Sequence, residues 1–400
     1  MISAEGHGSV EQTRVLYVSD EPVFNLGGAG KIVQWLISDL SKQYRISLAS
    51  PDAETAAARE GLPCLENCMT IPDKKWSKSS RNHLRGQINA GGYKLIHFHG
   101  GTFSFDAHLP WRSPLPRICL SGIPWILSNH CAPSLTEGLF PPGYPRASKF
   151  LKTAVAWLSK SFLLGKCRQE VFDSDENRLQ IEKWFPWARS KMRTIYHSAL
   201  EGKPPRPSFS PEVITIANLG HVAWRKGQAD LLKAFAQVHD KFPRLRLCLA
   251  GPEVDKSCGQ SLRDEIVHRK LEACVDMPGG LKDTSAFWTK VDIYVQPSRF
   301  EGAPMALMEA LWRGKPAVGT RVSGIPEMID HDVGGLLVEA GDPAQLAAAI
   351  ERLVVEADTR RRLGENAAAK LLAKGMTRRD MSNKYADLYS TILGKAAAKV

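Results

Sequence analysis

No stretch of this chain approaches the roughly 20 consecutive apolar residues that cross a bilayer, so no helical membrane span is expected. The first residues, Met1 to Thr13, are polar and lack the apolar core of a secretory signal, which points to a cytoplasmic location. The 8 cysteines in 400 residues show no metal spacing. Cys64 and Cys68 are the one close pair, and neither a second pair nor a His-x-His completes a zinc site. Other cysteines lie inside apolar runs, as in Arg246-Leu-Cys248-Leu-Ala250, which suits reduced core thiols better than disulfides. Zinc-finger spacing, an aromatic RNP-like strand and a helix-turn-helix pattern are also missing. A nucleic-acid partner would therefore rest on the net charge of +11 alone, and none is expected. The same charge suits a phosphorylated substrate or an anionic membrane surface.

Two common phosphate loops are absent as well. Gly27-Gly28-Ala29-Gly30 follows an apolar strand and opens a helical pattern, but it is not a Walker loop. Asn25 stands where the first glycine would be, and Lys31 precedes Ile32 rather than Ser or Thr. Val33 excludes Gly-x-Gly-x-x-Gly. The simplest reason for these glycines is close backbone approach to a ligand or an acceptor.

What is present is a regular alternation of short apolar runs and helical patterns. Strands are expected at 14–19, 46–49, 95–98, 125–128 and 170–172, with a helix over 28–40. A second series has strands at 213–217, 245–250, 291–295 and 317–318. Its helices are expected at 227–240, 260–270, 304–313 and 343–355. Between the series, Pro204, Pro205, Pro207 and Pro211 mark a linker. The pattern predicts an α/β protein with two doubly wound, Rossmann-like domains, 1–200 and 201–375, whose ligands bind beyond the carboxyl ends of the strands. A last helical pattern follows in 376–400, over Asp380 to Leu393.

Several side chains stand at strand ends. Lys226 lies in Gly220-His221-Val-Ala-Trp-Arg225-Lys226-Gly227, after a strand and before a helix. His130 ends the run Trp125-Ile-Leu-Ser-Asn-His130, and His97 and His99 flank Phe98, both on one face by alternation. That His pair could bind a metal or, as the preferred reading, line an acceptor site. Asp173-Ser-Asp175 has the look of a metal motif, but it falls between a strand and a helix, where a carboxylate caps the helix. Basic residues with interleaved aromatics recur in two segments. One holds Lys74, Lys75, Lys78, Arg81 and Arg85; the other, 146–164, has the composition of a basic amphipathic helix that lies on anionic lipid. The alternative is that its apolar face packs into the core and its lysines are solvated.

The most specific stretch is Ser298-Arg-Phe-Glu301-Gly-Ala-Pro-Met-Ala-Leu-Met-Glu309-Ala-Leu-Trp-Arg-Gly314-Lys-Pro-Ala-Val-Gly-Thr320-Arg-Val-Ser-Gly324-Ile-Pro-Glu327. Strand, loop and helix start offer free backbone N–H groups to an anion. Carboxylates on either side can accept hydrogen bonds from hydroxyls. Two glutamates at this spacing would mean little alone. With the preceding Pro-Ser, the Glu-Gly, the Gly-Lys-Pro-Ala-Val and the Gly-Ile-Pro-Glu, the stretch resembles the donor site of the retaining glycosyltransferase family 4, glycosyl transferases group 1.

The resemblance implies the GT-B fold, with an acceptor-binding domain at 1–200, a nucleotide-sugar domain at 201–375 and a C-terminal helix, 376–400, crossing back. It implies a retaining hexosyltransferase working by a same-face route, the leaving diphosphate oxygen helping to take the acceptor proton. The acceptor would be a glycan, a lipid-linked saccharide or a small molecule. Lys226, Glu301 and His130 take the catalytic positions. Gly28, His221, Arg225, Gly280, Leu281, Gly302, Ala303, Pro304, Met305, Ala306 and Glu309 line the donor. Glu301 would hold sugar hydroxyls and Glu309 the ribose. His221 stands where the family has arginine. No metal or other cofactor is implied. Alternatives are a nucleotide-sugar epimerase or hydrolase of the same fold, or a degenerate partner subunit. A location on the inner face of the membrane goes with the basic segments.

Overall fold

The computed structural model describes residues 12–19, 22–24, 28–55, 60–71, 78–100, 122–130, 146–198, 200–207 and 215–397. Seven strands form the first sheet: β1 (Arg14–Ser19), β2 (Arg45–Ser50), β3 (Asn67–Thr70), β4 (Leu95–His99), β5 (Trp125–Ser128), β6 (Gln169–Phe172) and β7 (Met192–Thr194). Their order is β3-β2-β1-β4-β5-β6-β7. Six more form the second: β8 (Thr215–Leu219), β9 (Arg246–Ala250), β10 (Val275–Gly279), β11 (Ile293–Gln296), β12 (Ala317–Thr320) and β13 (Leu336–Val338). Their order is β10-β9-β8-β11-β12-β13. Both orders reverse direction beside their first strand, which is the doubly wound Rossmann arrangement. The pairings β1–β2, β1–β4, β8–β9, β8–β11 and β11–β12 are all parallel.

The chain divides into two compact units. One comprises Met1–Ser128, Leu158–Glu170 and Tyr385–Val400; the other comprises Asn129–Trp157 and Val171–Lys384. In the second unit, alternate residues of the sheet feed two cores, as a period of two demands. Ile216, Ile293, Val295 and Val318 join Leu231, Phe235 and Ile350 on one side. Ala217, Tyr294 and Ala317 join Leu307, Leu311 and Ile325 on the other. Strands buried on both faces read as continuous apolar runs, which is why they were legible in sequence.

In the first unit the helix Gly28–Leu40 buries Ile32, Val33, Leu36, Ile37 and Leu40 at helical spacing. The glycine loop before it has a different explanation from the expected one, at least at Gly30. A Cβ there would lie 2.5 Å from the Val23 carbonyl oxygen, so the close approach is to the protein's own backbone. Gly28 is the first helical residue and is exposed; Gly27 lies outside the described residues.

His97 and His99 are both buried and on one face. His97 Nδ1 lies 2.5 Å from the Tyr389 hydroxyl and Nε2 lies 2.7 Å from Ser128 Oγ. Ser128 Oγ is 2.7 Å from the Tyr385 hydroxyl, and the Tyr389 hydroxyl donates to that of Tyr17 at 2.7 Å. Tyr385 and Tyr389 stand one turn apart on the helix Arg378–Ala397, so one face of that helix completes the network. His97 is thus a structural histidine, its two ring nitrogens used inside the core. His99 stacks on it at 3.7 Å between centroids.

The basic helix spans Arg146–Lys166. Lys160, expected to face lipid or solvent, is instead fully buried and paired with Glu170. A fully buried lysine needs such a partner, because its charge cannot otherwise leave water. Leu163 and Leu164 are buried, while Trp157, Leu158 and Phe162 are exposed. Lys74 and Lys75, and the side chains of Lys78, Arg81, Arg146, Lys149 and Lys152, lie outside what is described. Among the described residues no helix is long and apolar enough to cross a membrane.

Candidate active site

The second unit gathers most of the predicted site residues where its sheet reverses direction. β8 runs into Gly220 and His221, and β11 runs into Pro297 and Ser298. Lys226 ends a short turn, Trp224–Lys226, and Gly227 follows with φ +70. A Cβ at Gly227 would lie 1.9 Å from the Pro297 carbonyl oxygen, so both its conformation and its space require glycine. Gln228 donates to the His221 carbonyl at 2.9 Å, and Asn218 donates to the Val295 carbonyl at 2.8 Å. The Arg225 carbonyl accepts from the backbone of Arg299 at 2.9 Å. Arg299 makes two 2.8 Å bonds to buried Asp230 and lies 5.3 Å over the Trp224 ring. The two loops are therefore fastened together by backbone, fork and cation–π contacts.

Glu301 is at the centre. Its Oε1 accepts from Lys226 Nζ, from Ser298 Oγ at 3.0 Å and from Gln296 Nε2 at 3.2 Å. Its Oε2 lies 3.7 Å from Arg225. Burial alone would raise the carboxyl's pKa. The charges of Lys226 and Arg225, with the hydrogen bonds from Lys226 and Ser298, outweigh that and hold it below the usual range. His221 is pushed the other way: burial first, then the cations Lys226 and Arg225, lower its pKa, so its ring is neutral at pH 7. Gln296 extends the network inward, its Oε1 accepting from the Tyr294 hydroxyl at 2.7 Å.

The helix after the loop is Met305–Trp312, starting one residue later than expected, and Pro304 is its N-cap with φ -68 and ψ 110. Its first-turn amides, including Met305 and Ala306, have no acceptor within the helix. They present about half a positive charge. The expected amide grip over Gly302 to Ala306 is smaller in two respects: Pro304 has no N–H, and the Ala303 N–H already donates to Asp173 Oδ2 at 3.1 Å. Glu309 is one helical turn inside and accepts from Trp288 Nε1 at 2.8 Å. Gly280 follows β10, whose last residue, Gly279, has φ +76; Leu281 packs against the core.

His130 makes a different contact. Its Nδ1 lies 3.2 Å from Nδ1 of His197, and burial of the ring pushes its pKa down to about 4. The expected carboxylate cap at Asp173 or Asp175 is a correction. Ser174 caps the helix Asp175–Trp184, accepting from Asn177 N, because a short hydroxyl fits the extended cap backbone. The carboxylate at that helix start comes from Glu327, which accepts from the amides of Asp175 and Glu176 at 3.1 and 2.9 Å. Asp173 is buried beside the Glu301 loop instead. Its pKa is raised to about 6 by burial, with nearby Glu301 adding to it and the Asn177 and Ala303 hydrogen bonds opposing. Sequence reading assigned Asp173 to a helix cap and missed Gln296, Ser298 and Ser323 here; the hydrogen bond from Glu301 N to Ser323 Oγ at 3.3 Å spans two strand ends. Among the described residues no group of three or more His, Cys, Asp or Glu could hold a metal.

Two helix-covered parallel sheets of this order define the GT-B fold class. The whole chain superposes on sucrose-phosphate synthase from Thermosynechococcus elongatus with a TM-score of 0.76, 15% identity, and coverage of 96% of this chain and 100% of that one. It superposes on HepE from Anabaena, solved with UDP-glucose, with a TM-score of 0.73 at 16% identity, covering 95% and 100%. Residues 203–370 match the family model described as glycosyl transferases group 1. A D-inositol 3-phosphate glycosyltransferase from Corynebacterium kroppenstedtii is 31% identical over 180 residues, 43% of this chain and 40% of its own. The colanic acid biosynthesis glycosyltransferase WcaL of Escherichia coli K12, a putative assignment in its own name, is 34% identical over 157 residues, 36% and 37% of the two chains. The chain thus spans less than half the length of these curated relatives.

Proposed function

We propose that the chain is a retaining glycosyltransferase that moves a hexose-type sugar from a nucleotide diphosphate to a glycan, a lipid-linked saccharide or a small molecule. The carrying observation is the convergence of Lys226, Arg225 and Glu301 on the point where the second sheet reverses, beside the open end of the helix Met305–Trp312. Ligands of such sheets bind there. The family match covers these residues.

The chemistry follows from the side chains. Breaking the sugar–diphosphate bond leaves negative charge on the diphosphate. Lys226, Arg225 and the amides of Met305 and Ala306 are fixed before the reaction and meet that charge as it grows. Neutral His221, in the place of the family's arginine, donates a hydrogen bond without adding a full charge. Glu301 Oε1 is taken by three donors, so Oε2 is the oxygen that meets the sugar hydroxyls. Glu309 holds the ribose. The acceptor attacks on the face the diphosphate leaves, and a diphosphate oxygen takes its proton. His130, with its proton held off the ring near neutral pH, lines the sugar. No metal is required, because the cations and amides occupy the place a metal would take.

Incubation with a panel of nucleotide sugars tests this, beginning with UDP-linked hexoses because HepE was solved with UDP-glucose. Binding at a hundred times the dissociation constant should stabilise the protein by about 2.7 kcal/mol. A panel with no stabilisation and no hydrolysis of any donor would favour the second reading, a partner subunit, which His221 motivates. Activity should survive EDTA; loss on chelation, restored by manganese or magnesium, refutes the metal-free part. Sedimentation with anionic but not neutral vesicles at low salt tests the membrane partner, for which the exposed Trp157, Leu158 and Phe162 speak.

A further inference from the structure

Three short segments of the second unit hold one another. Asp173 takes the Ala303 amide through Oδ2 and the Asn177 side-chain amide through Oδ1 at 3.0 Å. The Gly302 carbonyl accepts from Gly324 N at 3.2 Å. Glu327, in the turn that Gly324 begins, accepts from the amides of Asp175 and Glu176. Segments 173–176, 301–303 and 324–327 therefore close a triangle, with one link on each side. Two glycines make it possible. A Cβ on Gly302 would lie 2.1 Å from Asp173 Oδ2, and one on Gly324 would lie 2.8 Å from the Gly302 carbonyl oxygen. Glu301 is the residue directly before this held turn.

We propose that Asp173 is a positioning residue: its carboxylate holds the Gly302–Ala303 turn and thereby fixes Glu301 in the orientation that meets the donor. This rests on the donor-site reading above. Neither the sheet nor the ion pair with Lys226 fixes the turn, because both act on the strand side of Glu301. A buried carboxylate receiving a backbone N–H fixes it from the other side. Asp173 also keeps the Ala303 amide from the diphosphate, which leaves Lys226 and the helix amides to bind it.

The experiment compares Asp173→Ala, Asp173→Asn, Gly302→Ala and the pair Asp173→Ala with Gly302→Ala. Two readouts are taken: kinetics with a nucleotide sugar, and hydrogen exchange of a peptide covering 300–308. Losing the hydrogen bond in Asp173→Ala should speed exchange of that peptide and lower kcat/KM, each by roughly tenfold, with the loss in kcat more than in KM. Asp173→Asn should recover most of both, since its side-chain oxygen still accepts from Ala303. Gly302→Ala should be as impaired as Asp173→Ala, and the pair should be no worse than either, because both break one clamp. Unchanged exchange in Asp173→Ala overturns the proposal. So does wild-type turnover with raised exchange, an asparagine variant as impaired as the alanine, or additive losses in the pair. If Asp173→Ala does not fold, the asparagine variant and Gly302→Ala still decide: wild-type exchange and turnover in Gly302→Ala overturn it. Wild-type protein that neither binds UDP nor hydrolyses any nucleotide sugar refutes the donor-site reading, while the exchange result still decides the clamp.

Discussion

The two sheets share a strand order but use their buried polar groups in opposite ways. In the first, Tyr17, His97, Ser128, Tyr385 and Tyr389 bond to one another, all of them within the core. In the second, a chain of the same kind starts at buried Tyr294 and passes through Gln296 and Ser298 to Glu301 and Lys226. It does not close. It ends on an ion pair whose lysine is 13% exposed and whose neighbour Arg225 is 39% exposed. A satisfied, closed network rigidifies a core. An open-ended one delivers that rigidity to charges that can meet a ligand. The same fold thus has one polar network that closes on itself and one that ends on partly exposed charge.

Breaking the open network should have the largest effect. Lys226→Ala removes the cation nearest Glu301, and by the usual size of such a loss should cut turnover by about 100- to 1000-fold. The loop around it is fastened by Gly227, Gln228 and Arg299 rather than by the lysine, so the fold should persist by circular dichroism. Wild-type turnover would remove Lys226 from the site.

The next contrast lies inside the site. Glu301→Ala should lower kcat, because contacts to the sugar strengthen as charge develops. Glu309→Ala should mainly weaken donor binding, by roughly tenfold, about 1.4 kcal/mol, since a ribose contact is the same in ground and transition states. Trp288 also loses its acceptor there. Steady-state kinetics with a nucleotide sugar separates the two; unchanged kinetics in both would refute the assignment of this pair.

Breaking the closed network should read out in stability instead. His97→Ala leaves the hydroxyls of Ser128 and Tyr389 each short of a buried partner, a cost of about 1–3 kcal/mol. Chemical denaturation should show the loss, with kcat within a factor of a few of wild type. A variant as stable as wild type would mean that the network is not tight.

How much of this could be read from the sequence follows the same division. The doubly wound pattern was legible because strands buried on both faces are apolar throughout, and the helices Gly28–Leu40 and Pro343–Val355 have the bounds their periodicity gives. β10, written Val-Asp-Met-Pro-Gly, escaped because it is an edge strand with a register shift, where Pro and Gly are tolerated. Glu301, Lys226 and Gly227 were legible because strand ends and a helix start sit at fixed spacing along the chain. Asp173 and Glu327 could be seen as residues, but not as partners of distant backbone. Their contacts join positions about 130 and 150 residues apart, and no local pattern records such a separation. Lys160 failed for a different reason: its partner is only 10 residues on, in the following strand, but its place in a basic helix hid it.

The smallest effect concerns acid sensitivity, where two groups of the second unit oppose each other. His130 has a folded pKa of about 4 against 6.5 for the free side chain. The unfolded chain binds its proton first, so this group's contribution is full above pH 6.5 and is lost as pH falls toward 4. Asp173 has a folded pKa of about 6 against 3.8. Here the folded chain binds the proton first, so its contribution is largest below pH 3.8 and is lost as pH rises through 6. Between pH 4 and 6 the slopes partly cancel, and wild-type stability should be flatter than either group alone would make it. His130→Asn removes the rising slope. In that variant the denaturation midpoint should fall more steeply, or rise less, from pH 4 to 6 than in wild type. Asp173→Asn should do the reverse, rising more steeply over the same window. Parallel pH profiles in all three proteins would show that neither group titrates differently on folding.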